Sequence, residues 1–179
     1  DCEIILYLYQ EFGKECVKML DGIFSFIIYD KINNDFLVAR DPIGITPLFY
    51  GITQNDEILF ASEVKSIQSE CIEVHAFPPG HYMTSSRELV KYYNPRWLNS
   101  GYSLNNETDL IAKNINTQLT KAISKRLMAD VPFGVLLSGG LDSSLIASVT
   151  SRLMRENSDY TWGNKLHSFS IGLPGAPDL

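Results

Sequence analysis

LLSGGLDSS, residues 136–144, sets an acid, Asp142, in the middle of a turn made of small residues and backbone donors. The turn follows the apolar run FGVLL (133–137), a short buried-type strand, and precedes residues 143–155, whose apolar spacing is helical. Ser138, Gly139 and Gly140 leave the strand, and Asp142, Ser143 and Ser144 open the helix, so amide N–H groups and hydroxyls converge on a positive helix end. That is an anion cradle, and a carboxylate inside it would repel the anion. A Mg2+ ion between Asp142 and phosphate oxygens turns the repulsion into attraction. The plain alternative is a glycine-serine turn in which Asp142 caps the helix.

Two other loop chemistries are disfavoured by what is missing. A Walker loop needs GxxxxGK[ST], with its lysine on the phosphates, and no lysine occurs between residues 126 and 164. A nucleophile elbow needs GxSxG, but Leu136 stands two residues before Ser138.

LHSFSIGL (166–173) alternates like a second strand, so strand, loop, helix and strand make one βαβ unit. NSDYTWGNK (157–165) reads as a polar surface excursion. Before the unit, Leu110, Ile111, Ile115, Leu119, Ala122, Ile123 and Leu127 share a helical face behind Glu107 and Asp109, acids that suit a helix start. YYNPRWLNSGYSLNN (92–106) is turn-rich and aperiodic and marks a domain boundary.

The first half differs in character. Asp1 stands at a helix N-cap, with Ile4, Ile5, Leu8 and Phe12 at helical spacing and Gly13 as the stop, and a second short helix covers Lys14–Leu20. IFSFIIYD (23–30) and FLVAR (36–40) form a hairpin across KINND; PLFYG, EILF and GHYMTS supply further strands, with a helical patch at ASEVKSIQ (61–68). Arg40 and Asp41 read as an ion pair beside an Asp-Pro turn. His75, His81 and His167 have no neighbours at metal-ligand or triad spacing.

The chain has 179 residues, 45% of them hydrophobic, which suffices for one medium domain or two small ones. A net charge of −6 without a Lys/Arg cluster argues against nucleic acid. Cys2, Cys16 and Cys71 lie far apart, outside any disulfide or zinc pattern, and fit a reducing cytosol. No run approaches the roughly 20 apolar residues of a membrane span. Starting without methionine inside a periodic segment, the chain reads as a piece of something longer.

SGGLDSS resembles the pyrophosphate loop of the N-type ATP pyrophosphatases, which cleave ATP between the α and β phosphates and leave an adenylated intermediate. DCEIILYLYQ, DGIFSFIIYD, VARDPIGITPLFYG, FASEVKSI, FPPGHY, DVPFGVLLSGGLDSS and LHSFSIGLPGAPDL, in that order, look like the glutamine-hydrolysing asparagine synthetases of the bacterial and plant type.

The resemblance implies a two-domain α/β chain. Residues 1–93 would end an N-terminal-nucleophile type α/β/β/α glutaminase domain, 94–106 would link, and 107–179 would begin a Rossmann-like parallel α/β ATP pyrophosphatase domain. Ammonia freed from glutamine would displace AMP from β-aspartyl-AMP. The nucleophile, a processed N-terminal cysteine, would lie upstream; Cys2 matches a late helix and reads as a packed small hydrophobe. Asp1 matches the carboxylate that holds the α-amino group of glutamine, with a plain N-cap as its other reading. Leu136 and Ile171 match main-chain contacts to adenine and would also serve core packing; Ser138, Gly139, Gly140, Leu141, Asp142, Ser143 and Ser144 would hold pyrophosphate, with Mg2+ on Asp142.

Implied partners are glutamine, aspartate and ATP, in a cytoplasmic enzyme open to homodimer formation, without nucleic acid or membrane. Two other functions share the loop: a β-lactam-forming synthetase whose glutaminase-like domain has lost its nucleophile, and a non-catalytic nucleotide-binding module of the same fold.

Overall fold

The structure is a computed structural model and describes residues 2–99, 108–129, 131–156 and 165–172. The chain divides into two compact units, residues 1–102 and 103–179.

The first unit stacks one helical layer and two sheets. Helix α1 spans Glu3–Phe12, with Cys2 at its cap position and Gly13 ending it in a left-handed conformation, φ +56°. Asp1, expected as the cap, lies outside the described residues. The half-buried stripe of α1 is Ile5, Leu8 and Tyr9, whereas Ile4 and Phe12, expected on it, are exposed. Gly13–Lys18 is a 3-10 helix and not the expected α-helix over Lys14–Leu20, and it buries Cys16 and Val17. Six residues with a glycine and a β-branched valine are too few to sustain α-helical turns, whose first turn costs most.

Strands β1 (Ser25–Asp30) and β2 (Asp35–Arg40) pair antiparallel as a hairpin. Asp30 closes its turn by accepting the amides of Ile32 at 2.9 Å and Asn33 at 3.1 Å. With β6 (His81–Thr84) and β7 (Val90–Lys91) they make an antiparallel sheet of order β1-β2-β6-β7. Strands β3 (Phe49–Thr53), β4 (Ile58–Ala61) and β5 (Cys71–Ala76) make a second, of order β4-β3-β5.

Strand alternation on β2 explains the layering. Leu37 and Ala39 point to one face and join Cys16, Val17, Ile28 and Tyr82 beneath α1. Val38 points to the other and joins Leu48, Phe77 and Met83, with Phe36, Tyr50, Ile58 and Phe60 packed against them. Each such large side chain contributes about 1.5–3 kcal/mol through burial. The result is a helix/sheet/sheet stack.

The predicted helical patch at 61–68 shrinks to a 3-10 turn, Val64–Ser66. Cys71–Ala76, a strand here, had no expected counterpart. A short helix α2, Arg96–Asn99, also occupies the segment read as an aperiodic connection.

In the second unit α3 spans Thr108–Arg126, β8 Gly134–Leu136, α4 Leu141–Glu156 and β9 His167–Phe169. β8 and β9 pair in parallel, with Gly134, Val135 and Leu136 opposite His167, Ser168 and Phe169. Parallel neighbours need a crossover, and α4 supplies it. The helices meet through Ile123, Leu127 and Val149, with Leu119, Phe133 and Leu153 around them, while Leu110, Ile111 and Ile115 of the predicted apolar face are exposed.

Candidate functional site

The loop of the second unit is open and held at its base. β8 ends at Leu136, α4 begins at Leu141, and Ser138, Gly139, Gly140, Leu141, Asp142 and Ser144 between and just after them are exposed, with Ser143 half-buried. Gly139 has φ +81°, a left-handed turn that any side chain would strain, although open space surrounds it. The first helical bond of α4 runs from the Ser144 amide to the Gly140 carbonyl at 3.1 Å. The amides of Leu141, Asp142 and Ser143 precede it and point out of the helix end, so these donors and the positive dipole end share one opening.

Hydroxyls line the same mouth. Ser143 Oγ donates to the Gly140 carbonyl at 3.1 Å and lies 3.2 Å from Ser138 Oγ. Asp142 stands exposed in the first turn of α4. Among the described residues no three His, Cys, Asp or Glu side chains gather as a metal cage. One exposed carboxylate beside an anion cradle nevertheless fits Mg2+, which keeps its waters and is commonly held by one or two carboxylates together with substrate phosphates.

Leu136 and Ile171 do not pack in a core: they are 84% and 96% exposed. Alternation on β8 puts Leu136 on the face opposite the half-buried Val135 and Leu137, and that face is uncovered among the described residues. Their main chains flank the place where the paired register stops, at Leu136 and Phe169. Gly134 permits this pairing, since a Cβ there would stand 2.5 Å from the Phe169 ring and 2.8 Å from the His167 carbonyl.

In the first unit the expected Arg40–Asp41 ion pair does not form. Arg40 donates instead to three carbonyls, those of Thr46 at 2.7 Å, Phe77 at 2.6 Å and Gly44 at 2.9 Å. Asp41, fully buried, accepts the amides of Ile43 at 3.2 Å, Ile45 at 3.0 Å and Thr46 at 3.1 Å. Burial alone would raise its carboxyl, but these amides together hold it below the ordinary value. Both side chains engage the loop that follows β2, Arg40 through its carbonyls and Asp41 through its amides, so each spends its charge on backbone. Tyr92, unmarked in the sequence, donates its hydroxyl to the Arg40 carbonyl at 2.8 Å, and burial followed by the Asp41 charge raises its phenol.

Cys2 is exposed and not packed in the core, because the half-buried stripe of α1 falls on Ile5, Leu8 and Tyr9. His75 pairs with Glu73 at 3.2 Å and His81 with the Pro79 carbonyl at 2.7 Å, both on the surface.

The family model for a glutamine amidotransferase domain matches residues 1–83, and that for asparagine synthase matches residues 114–179. Over the whole chain, 49% of residues are identical to an asparagine synthetase (glutamine-hydrolyzing) of Zea mays and 50% to the nodule enzyme of Pisum sativum, covering 30% of each. A probable asparagine synthetase of Schizosaccharomyces pombe is 47% identical over the whole chain and 34% of its own length. The chain belongs to the asparagine synthetase family. It spans about a third of the length of these relatives. The join between the two family matches, residues 84–113, contains the boundary between the compact units. Among the described residues no helix is long and apolar enough to cross a membrane.

Proposed function

We propose that the protein carrying this chain makes asparagine from aspartate, ATP and glutamine-derived ammonia. The observation that carries this is the order of parts in one chain: a glutaminase-type match, then an asparagine synthase match built around an open anion cradle with an exposed acid. Residues 1–93 would belong to the ammonia-producing domain, 94–106 to the linker and 107–179 to the adenylating domain, as the Rossmann-like start of a larger parallel sheet.

In the synthetase half-reaction a side-chain carboxylate oxygen of aspartate attacks the α-phosphorus of ATP. The bond to the bridging oxygen breaks, and pyrophosphate leaves with the negative charge that develops on that oxygen. Ser138 to Ser144 are arranged to receive that charge. The amides of Leu141, Asp142 and Ser143 and the hydroxyls of Ser138 and Ser144 donate to pyrophosphate oxygens, the Ser143 hydroxyl proton being on the Gly140 carbonyl, and Gly139 and Gly140 let the backbone come close. Donors fixed before the reaction stabilise the leaving group without reorganising. Asp142 would hold Mg2+ against the pyrophosphate; bound there, the ion neutralises charge as it develops. The exposed main chains at Leu136 and Ile171, at the carboxyl ends of parallel strands, are where adenine would lie. Ammonia then attacks the acyl carbon, the bond to AMP breaks, and the surplus proton passes to solvent.

For the glutaminase half-reaction, Asp1 would hold the glutamine α-amino group. Cys2 is not the nucleophile, since its nitrogen is the amide of the Asp1–Cys2 bond and no free α-amino base is available.

The test is stoichiometry in the intact gene product. With ATP, Mg2+, aspartate and glutamine, asparagine, pyrophosphate and glutamate should form in equal amounts, and pyrophosphate should require aspartate. Pyrophosphate release that ignores aspartate, or ATP binding without turnover, would overturn the assignment.

A further inference from the structure

The parallel pair β8–β9 stops one residue short of the loop. Its last ladder bond joins the Leu137 amide to the Phe169 carbonyl at 2.8 Å, beyond the final register pair Leu136–Phe169. The strands part there, and the Leu137 carbonyl would be left for water. Ser170 Oγ donates to it instead, at 2.7 Å. Ser170 is on the surface and its side chain has no core to fill, so this bond is its distinguishing contact.

Its position gives the bond a consequence. Leu137 lies between Leu136 and Ser138, and Ser170 lies next to Ile171. One hydroxyl therefore ties the chain entering the cradle to the chain carrying the second adenine-flanking residue. Without it, the two strand ends would diverge freely after Phe169, and the gap between the Leu136 and Ile171 main chains would lose its fixed width. Gly134 and Phe169 set the strands' separation one step earlier.

We propose that Ser170 is a positioning residue for ATP: its hydroxyl bridge to Leu137 sets the slot in which the adenine is held. This rests on the adenylating function proposed above. It predicts an effect on ATP affinity that separates from the chemical step, since the pyrophosphate donors are untouched. A hydrogen bond of ordinary strength corresponds to a threefold to tenfold change, roughly.

The intact protein offers an isosteric test. Ser170→Thr keeps the hydroxyl and adds a methyl group; Ser170→Val has the same shape as threonine and no hydroxyl. The KM for ATP should rise by about threefold to tenfold in Ser170→Val and stay within about twofold of wild type in Ser170→Thr. The kcat of aspartate-dependent pyrophosphate release, the KM for aspartate and the thermal midpoint should hold in both. Equal KM values for ATP in the two variants, or a fall in kcat alone, would overturn the role of Ser170. Should the Ser170→Val substitution lower the midpoint, Ser170→Ala tested against Ser170→Thr for equilibrium ATP binding decides the matter by the same criterion. Wild-type protein that releases no aspartate-dependent pyrophosphate would instead sink the adenylating function itself, a separable outcome.

Discussion

Asp41 and Asp142 each follow an apolar strand and each sit in a turn, yet one is fully buried and the other exposed. Asp41 is consumed by its own loop: its two oxygens take three amides, its carbonyl accepts the amides of Gly44 at 3.2 Å and Gly80 at 2.9 Å, and its own amide donates to Phe24 at 2.8 Å. Asp142 opens a helix whose end points to solvent. A carboxylate saturated by backbone fixes a loop and has nothing left to offer a ligand. An exposed one beside unspent amides contributes little to the fold and is available to a cation. On the proposed function, the same residue type would serve structure in the first unit and chemistry in the second.

Substitutions that remove the buried acid should have the largest effect. Asp41→Ala leaves three amides without their acceptor and empties a fully buried position, and should lower unfolding stability by about 3 kcal/mol, read from denaturant midpoints of the intact protein. Its pH dependence has a definite sign. Because the folded state depresses the Asp41 carboxyl, that stabilisation is complete above the ordinary carboxylate value of 3.8 and is lost as pH falls through the lower folded value. The raised Tyr92 phenol acts at the other end: its contribution is complete below the ordinary 10.0 and is lost as pH rises through the folded value. Denaturation curves against pH should therefore lose stability at both extremes, and Tyr92→Phe should flatten only the alkaline limb.

Gly139→Ala should have a smaller effect, about 1–2 kcal/mol, because only the left-handed backbone is strained and the added methyl group meets open space. A loss as large as that of Asp41→Ala would mean that the open loop is as tightly built as the buried one. The smallest effect is expected at Cys2. An exposed residue at a helix cap, with a peptide-bonded nitrogen, should tolerate Cys2→Ser with glutamine hydrolysis within about twofold of wild type. Loss of hydrolysis with the fold intact would restore Cys2 as a candidate nucleophile.

Period and punctuation made much of this legible. The 136–144 turn, the β1–β2 hairpin and the βαβ order follow from glycine, serine and apolar spacing, which are local. The misses have more than one cause. Cys71–Ala76 pairs with β3, and the alternation of Ile72, Val74 and Ala76 with Glu73 and His75 carries a strand period that went unread. Arg40 reaches Phe77, 37 residues along the chain, for one of its three carbonyls, whereas Gly44 and Thr46, and the Ile43, Ile45 and Thr46 amides on Asp41, lie in the loop that follows β2. Leu136 and Ile171 looked like core because they are apolar; which face of β8 is covered is set by the helices and not by the residues themselves.

The two acids can be tested against each other with one change each, Asp41→Asn and Asp142→Asn in the intact protein, with thermal stability, glutamine hydrolysis and aspartate-dependent pyrophosphate release measured side by side. Asp41→Asn places an amide donor against a backbone donor and should cost about 1–3 kcal/mol of stability, with pyrophosphate release per folded molecule retained. Asp142→Asn keeps the size and capping ability, so stability and glutamine hydrolysis should hold, while pyrophosphate release should fall on the order of a hundredfold or more as the metal-bridging charge is lost. Pyrophosphate release at the wild-type rate in Asp142→Asn would show that Asp142 is only a helix cap and would contradict the division between the two acids.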